Sequence, residues 1–302
     1  MKKLYPFLKT APLILLAVGL ASLFAGCSSV AVTRTVALSG LTPLANADQV
    51  TVVEEGKPIS QPYQLVGAVT VASTAFQNNP GNQQIPAKGF SYKRMKAVAA
   101  AMGADGVIGV HTGVSSNPRE ATAVRSGLVV KWLAVGEAKR PVEKSFVVAV
   151  LPLAEDSKSP SEQKSWNETM ASAVIEPLET KGYYVLPSQN ITFKGGLEAA
   201  RDLGDPLLQS LGGADAQLLL ETTILGGAQA NIIIGASASE QIRTTLMDKA
   251  TRKEIFQGSG TGAMYLGWLL NMIGDKHKMA AGIGAAVSLN QIKSINEVVP
   301  EL

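Results

Sequence analysis

The sequence alternates strand-like apolar runs with helical patterns, and this alternation restricts the chain to folds that pack helices on β-sheets. The first series has the order strand, strand, helix, strand, strand, over residues 50–53, 63–71, 92–102, 106–111 and 127–135. Gly103 directly follows the helical pattern and is expected to end that helix. One sheet with one helix is therefore predicted for this part of the chain.

The second series ends in several short strands without helices between them. It covers residues 146–153, 166–178, 183–186, 197–211, 216–224, 232–238, 243–248 and 254–258. Pro177 lies inside the first helical pattern and should bend or restart that helix. A charged segment, 136–144, separates the two series. We therefore predict an α/β (α+β) fold with two small sheet-plus-helix domains, 35–140 and 141–302, the second ending in an antiparallel meander.

The only cysteine, Cys27, follows three lysines and a short apolar segment. Residues 11–25 are apolar, and Ala25 and Gly26 stand directly before the cysteine, as in a bacterial secretory signal peptide. This arrangement resembles the lipobox of bacterial lipoproteins, although Phe24 occupies a position that is usually leucine. The resemblance implies that signal peptide 1–26 is removed, that Cys27 is acylated and that 27–34 is a lipidated tether.

Two other interpretations of this segment remain open. Residues 11–26 could be an anchor helix, but they contain Pro12 and are shorter than the roughly 20 residues that cross a bilayer. Cys27 could instead be an ordinary buried thiol. Under the lipoprotein interpretation, Ser28 rather than aspartate after the cysteine favours the periplasmic face of the outer membrane. A single cysteine allows no internal disulfide.

Charge and composition exclude several classes of protein. The chain has 27 basic and 24 acidic residues, and removal of the three lysines of 1–26 leaves 24 basic residues against 24 acidic ones. This neutral balance gives no electrostatic basis for binding nucleic acid. With two histidines and one cysteine, a structural metal site is not expected, nor is any cofactor.

Residues 145–290 resemble a family of bacterial outer-membrane lipoproteins that is related in fold to the amino-terminal domain of TolB and, more distantly, to CsgG. The matching stretches are 150–153, 177–178, 181–187, 213–216, 246–251 and 255–258. The resemblance implies a role in an envelope transport, secretion or assembly apparatus, with envelope proteins as partners and with homo-oligomers.

Residues 50–136 show a weaker resemblance to small bacterial domains of the YbjQ type, carried by 65–67, 97–102 and 103–110. Such domains form oligomeric rings in some members and are sometimes described as heavy-metal binding. This chain offers only His111 in the relevant strand. A lone histidine on an apolar strand is more often a structural residue, and we expect the same here.

No catalytic constellation is evident, and we name no catalytic, cofactor-binding or metal-binding residue. Gly235–Ser239 lacks the final glycine of a hydrolase elbow and lies in a predicted strand. Gly258–Gly262 lacks the lysine of a phosphate-binding loop, and we interpret it as a flexible exit from the meander. A hydrolase would require a pocket that brings His111 or His277 together with a serine and a carboxylate.

Residues 262–289 contain two apolar blocks, 263–273 and 280–289, on either side of a charged segment. Each block is too short for a membrane helix but long enough for a membrane strand. Three interpretations remain: a helical hairpin packed on the body or on a sister subunit, a membrane-inserting hairpin, or disorder. The glycine and alanine content favours the helical hairpin.

These patterns together predict a lipoprotein that is not an enzyme and that has a binding or assembly role. The edge strand of the meander is a candidate docking site, because an unpaired strand edge invites another strand. The alternative from another class is a subunit of an oligomeric outer-membrane pore of the curli-secretion type. A periplasmic hydrolase is the second alternative.

Overall fold

The computed structural model describes residues 28–76, 88–114, 120–153, 160–186, 191, 193, 195–232, 235–267 and 275–299. Within these residues the strands are β1 (Ser28–Val36), β2 (Thr51–Glu54), β3 (Tyr63–Phe76), β4 (Gly106–Val114), β5 (Glu120–Trp132), β6 (Val147–Val150), β7 (Tyr184–Val185), β8 (Leu218–Ile232), β9 (Gly235–Asp248), β10 (Glu254–Gly267) and β11 (Glu297–Val298). The helices are α1 (Lys88–Ala101), α2 (Pro160–Glu179), α3 (Gly196–Arg201), α4 (Asp205–Ser210) and α5 (Lys276–Ser288).

These strands form two sheets, and the predicted α+β fold is confirmed. The first sheet has the order β11-β1-β3-β5-β4-β2, and the second has the order β10-β9-β8-β6-β7. In the second sheet β6 runs parallel to β7 and β8, whereas β8, β9 and β10 are antiparallel. The predicted meander is therefore present.

Helices cover both faces of the second sheet and one face of the first. Helix α1 buries Met95, Val98 and Ala99 against the first sheet. Helices α2 and α5 cover one face of the second sheet, and α3 and α4 cover part of the other. The remaining face of the first sheet packs on Phe146, Val147 and Tyr184, so the two halves share a buried core.

The residues predicted as a tether, 28–34, lie in a strand instead. Strand β1 pairs with β3 along its whole length, from Ser28 opposite Ala75 to Val36 opposite Gly67. The reason is an alternation of apolar and polar residues, since Val30, Val32 and Val36 all pack toward α1. The described part of the first sheet therefore begins at the residue next to Cys27. Cys27 itself, with the proposed signal peptide 1–26, lies outside the described residues.

The two series of elements are not separate along the chain. The linker 136–144 lies between β5 and β6, but β11 returns from the far end of the chain to pair with β1. Arg34 and Glu297 form an ion pair at 3.3 Å across this junction. The proposed boundaries 35–140 and 141–302 thus stay a prediction, with β11 crossing from the second range into the first sheet.

The sequence predicted the end of α1 correctly but not the course of α2 or the break between α3 and α4. Gly103 follows α1 with a φ of 75°, which fits the predicted end of that helix. Helix α2 continues through Pro177 to Glu179 rather than restarting there. The single helix expected over 197–211 is two short helices, because Pro206 lacks the amide hydrogen needed to extend α3 and instead starts α4.

The meander strands are longer than the sequence indicates. Residues 235–238 and 243–248, expected in two separate strands, lie in one strand, β9, whereas Ile232 ends β8. Strand β10 continues nine residues past 258, to Gly267. The interpretation of Gly258–Gly262 as a flexible exit is therefore wrong. Glycine has poor strand propensity, but here pairing with β9 and packing under α5 override that preference.

The glycines of β10 allow a helix to lie directly on the sheet. A Cβ atom on Gly258, Gly260 or Gly262 would overlap backbone atoms of α5, at Ser288, Gly284 and Ala280. These glycines occur at every second position, so all three face the helix. The second apolar block, 280–289, is thus mostly a helix packed on the body, whereas the described part of the first block, 263–267, is strand.

We predict that Gly260→Ala destabilises the protein by about 3 kcal/mol, because overpacking forces strand and helix backbones apart. Urea unfolding followed by circular dichroism measures this change. Gly226→Ala on β8 is the matched control, since a Cβ there meets no atom within 4 Å. The control should change the free energy of unfolding by less than about 0.5 kcal/mol. Equal stabilities of the two variants would contradict the packing role of Gly260.

Candidate functional site at the interface of the two sheets

Three polar side chains with unusual environments meet where the first sheet packs on the second half of the chain. His111 lies on β4, Glu179 is the last residue of α2, and Tyr184 begins β7. Their exposed fractions are 7%, 0% and 1%. Titratable side chains that are buried together concentrate at functional sites, so this cluster is a candidate functional site.

Both ring nitrogens of His111 face oxygen acceptors. Nε2 lies 2.7 Å from Oε1 of Glu179, and Nδ1 lies 3.2 Å from the carbonyl oxygen of Gly109. Because a carboxylate and a carbonyl only accept hydrogen bonds, the imidazole donates from both nitrogens and carries a positive charge. Burial by itself lowers the pKa of His111, but the charge and hydrogen bond of Glu179 outweigh burial and raise the pKa above its ordinary value.

Glu179 connects the histidine to the backbone of β7. Its Oε1 accepts from His111 and from the amide of Val185 at 3.2 Å. Its Oε2 is buried and has no hydrogen-bond partner among the described residues. A buried carboxylate with one unpaired oxygen depends strongly on the charge that remains beside it. The imidazolium of His111 therefore stabilises Glu179 in this position.

Tyr184 joins the same cluster through a shared carbonyl. Its hydroxyl donates to the carbonyl oxygen of Gly109 at 2.6 Å, and its ring meets the imidazole of His111 edge-on at 5.2 Å. Burial, followed by the negative charges of Glu179 and Glu55, raises the pKa of Tyr184 well above its usual value, so the hydroxyl remains a donor. Gly109 has a φ of 63°, which turns its carbonyl out of the β4 ladder.

Two further polar contacts link the halves at other points. Thr35 of β1 donates to the carbonyl oxygen of Gly182 at 2.6 Å. Tyr63 of β3 donates to Asp215, and the ring of Tyr63 lies 5.0 Å from Nζ of Lys139. Burial and Asp215 raise the pKa of the Tyr63 hydroxyl. These contacts add to the His111 cluster in holding the two halves together.

The arrangement at His111 fits a structural joint better than a reaction centre. Its side chain is almost completely enclosed, and its nitrogens are occupied by Glu179 and Gly109. Among the residues that the structure describes, no three His, Cys, Asp or Glu side chains are placed to hold a metal ion. The pairing with Glu179 agrees with the structural role expected for this histidine.

The second histidine, His277, lies at the start of α5 near the surface. Its Nδ1 is 2.6 Å from Oε1 of Glu240, and its Nε2 is 2.9 Å from Oε1 of Gln229. Neither histidine therefore directs a ring nitrogen at a serine hydroxyl, which was the arrangement that a hydrolase would require. Gly235–Ser239 lies in β9, away from any strand-to-helix turn.

Sequence reasoning missed Lys249, which is almost fully buried after β9. Its Nζ donates to the carbonyl oxygens of Gln209 and Leu211 at 2.8 and 2.9 Å, at the end of α4. Burial lowers the pKa of Lys249 to about 8. The lysine thus satisfies carbonyls that a helix end leaves without partners. Its sequence neighbours gave no signal of this contact, because the partner residues lie about 40 positions earlier.

No helix among the described residues has the length and apolar character needed to cross a membrane. This statement does not extend to 1–27, which contains the apolar segment before Cys27 and lies outside those residues.

No protein-family model matches the chain, and no curated protein matches it. Solved structures that match include lipoprotein GNA1162 from Neisseria meningitidis, with 18% identity over 40% of this chain and 83% of that one and a TM-score of 0.29. The PelC dodecamer from Paraburkholderia phytofirmans matches with 14% identity over 50% and 88%, and a TM-score of 0.28. A putative neuraminyllactose-binding hemagglutinin homolog from Helicobacter pylori matches with 14% identity over 48% and 80%, and a TM-score of 0.21. TM-scores of this size do not establish a shared fold.

The charged His111–Glu179 pair predicts that stability falls as pH rises. The pKa of His111 is raised in the folded state, so its contribution is complete below about pH 6.5, the unfolded value, and is lost as pH rises through the folded value. His111→Gln should lower the free energy of unfolding at pH 6 by about 3–5 kcal/mol, because Glu179 is left buried without a counter-charge.

Urea unfolding of the wild type, His111→Gln and the matched control His277→Gln between pH 6 and 8 measures both effects. The wild type and His277→Gln should lose stability over this range, and His111→Gln should lose much less. Parallel pH profiles for all three proteins would contradict the charged pair.

Proposed function

We propose that the protein is a lipid-anchored protein of the bacterial cell envelope with a non-enzymatic binding or assembly role. The observation that carries the proposal is the order of lysines, apolar segment, small residues and Cys27 at the amino terminus. Acyl chains contribute about 0.8 kcal/mol per buried CH₂, so three chains on Cys27 hold a protein on a membrane almost permanently.

The position of β1 supports close attachment to the membrane. Because β1 begins at Ser28, only the peptide bond to Cys27 separates the ordered sheet from the anchor. Strand β3 ends and β5 begins at this same end of the sheet, where Phe76 pairs with Glu120. A lipid on Cys27 would therefore place this end of the first sheet against the bilayer and leave the opposite end directed away from it.

The finer placement is the periplasmic face of the outer membrane, supported by Ser28 at the position after the cysteine. The resemblance of 145–290 to lipoproteins related to TolB and CsgG supports work in an envelope transport, secretion or assembly complex. The arrangement of the described residues agrees with a scaffold, because polar contacts fix the two halves together.

Replacement of Cys27 tests the anchor. Cys27→Ser should be lost from the outer-membrane fraction, because it cannot be acylated, and should have a higher apparent mass, because segment 1–26 is retained. Fractionation of cells followed by immunoblotting measures both, with Ser29→Ala as the matched control that keeps the lipidation site. Wild-type distribution and mass of Cys27→Ser would overturn the anchored function.

Chemical crosslinking in intact cells, followed by purification of the protein and mass spectrometry, tests the binding role. We expect envelope proteins to crosslink with the wild type and to be depleted at least tenfold with Cys27→Ser, because anchoring concentrates both partners at one membrane. Recovery of no protein above an untagged control would contradict a binding or assembly role, whatever the fate of the lipid.

A further inference from the structure

The free edge of β10 is long, and after a bulge at Ile255 its described residues show none of the features that normally protect a sheet edge. Strand β10 pairs with β9 on one side and with no strand among the described residues on the other. Residues 255–267 contain no charged residue and no proline. Natural edge strands are usually short, or carry lysine, proline or a bulge that prevents pairing with another chain. An edge of this kind is suited to pairing with a further strand.

Helix α5 presents an apolar stripe beside the same edge. Met279 and Val287 are 45% and 40% exposed, and Ile283 lies between them at the helical spacing of four residues. Gly282 faces α2, near Ala173, so the stripe lies on the flank of α5 that turns away from α2. That flank lies toward the free edge of β10.

The strand and the helix share a common centre. Gly284 contacts both Gly260 and Gly262, so the middle of α5 lies over Thr261. The apolar stripe on α5 is centred at Ile283, which is the residue next to Gly284. A two-fold axis through Thr261 would therefore act on the strand and on the helix stripe at once, which is the condition for a self-complementary interface.

Antiparallel pairing about Thr261 gives favourable neighbours on the helix side of the sheet. Each residue then faces the residue of the second copy that lies equally far from Thr261 on its other side. Phe256 therefore faces Leu266 of the second copy, and Gly258 faces its Met264. On the helices, Ile283 faces its own copy and Met279 faces Val287. The large side chains thus meet small or apolar ones, and no like charges are brought together along the strand.

The distances fit as well. Helix α5 straddles β9 and β10, since Gly284 also contacts Ile242 of β9. With strands about 4.8 Å apart, the two α5 axes would lie about 10 Å apart across the axis, within the range of packed helices. The strand layer of the contact is about 40 Å long and the helix layer about 20 Å long, each about 10 Å high, so each partner buries on the order of 600 Å², at the lower end of the range for stable dimers.

We infer that two copies of this chain form a two-fold symmetric dimer through antiparallel pairing of their β10 strands, with the α5 helices packed against each other on one face. The second copy is the fitting occupant because the strand edge and the helix stripe are each complementary to themselves about one point. The dimer goes beyond the proposed function, since it forms whether or not Cys27 is acylated.

A cysteine at the axis tests this dimer directly. Thr261→Cys places two thiols on directly opposite residues, whose Cα atoms would be about 4.5–5.5 Å apart, within disulfide range. The full chain, purified in detergent and treated with a mild oxidant, should form a covalent dimer that reducing agent separates. Gln241→Cys is the matched control, because Gln241 pairs with Thr261 from β9, on the same face but one strand further in. The wild type controls for Cys27.

A crosslinked dimer with Thr261→Cys but not with Gln241→Cys or the wild type supports the inference. Equal crosslinking of all three proteins, or none with Thr261→Cys, overturns it. Light scattering supplies a second test with charges at the axis. Ile283→Lys and Ile283→Glu should each be monomeric, at least tenfold weaker in self-association than the wild type, and an equimolar mixture should recover dimers. A monomeric wild type, or a mixture that stays monomeric, also overturns the two-fold arrangement.

Discussion

The buried pair of His111 and Glu179 is the interaction on which the relation between the two sheets depends. One partner lies in the first sheet, and the other ends the long helix of the second half. Glu179 accepts from the histidine and from the backbone of β7 with one oxygen, while its other oxygen is left without a partner among the described residues. The His111–Glu179 contact therefore links β4 to the end of α2 and, through the Val185 amide, to β7.

The same interface explains why the halves behave as an interleaved body. Tyr184 and His111 both donate to the carbonyl of Gly109, and Thr35 binds the carbonyl of Gly182. Strand β11 then closes the chain onto β1, so the first sheet contains residues from both ends of the described chain. A lipid anchor at Cys27 would be attached directly to this sheet, because Ser28 of β1 is the next residue.

Close packing of α5 on the meander sets the shape of the opposite side. The glycines at 258, 260 and 262 remove side chains where the helix crosses the strand, and Gly284 does the same from the helix. This contact keeps α5 near the free edge of β10, which leaves the strand edge and the helix stripe next to each other. Both the stability of the meander and its proposed self-association thus follow from the same small residues.

The sequence by itself determined what depends on near neighbours: the α+β class, the helical face of α1, the turn at Gly103 and the antiparallel meander. Residue spacing and glycine at a positive φ decide these features locally. Only the tertiary structure decided the partner of His111, the enclosed position of Lys249 and the strand character of Gly258–Gly262. Those outcomes depend on residues between about 20 and 70 positions away, so no local pattern contains them. By intrinsic propensity glycine favours loops, but in β10 the packing of α5 on these glycines favours the strand.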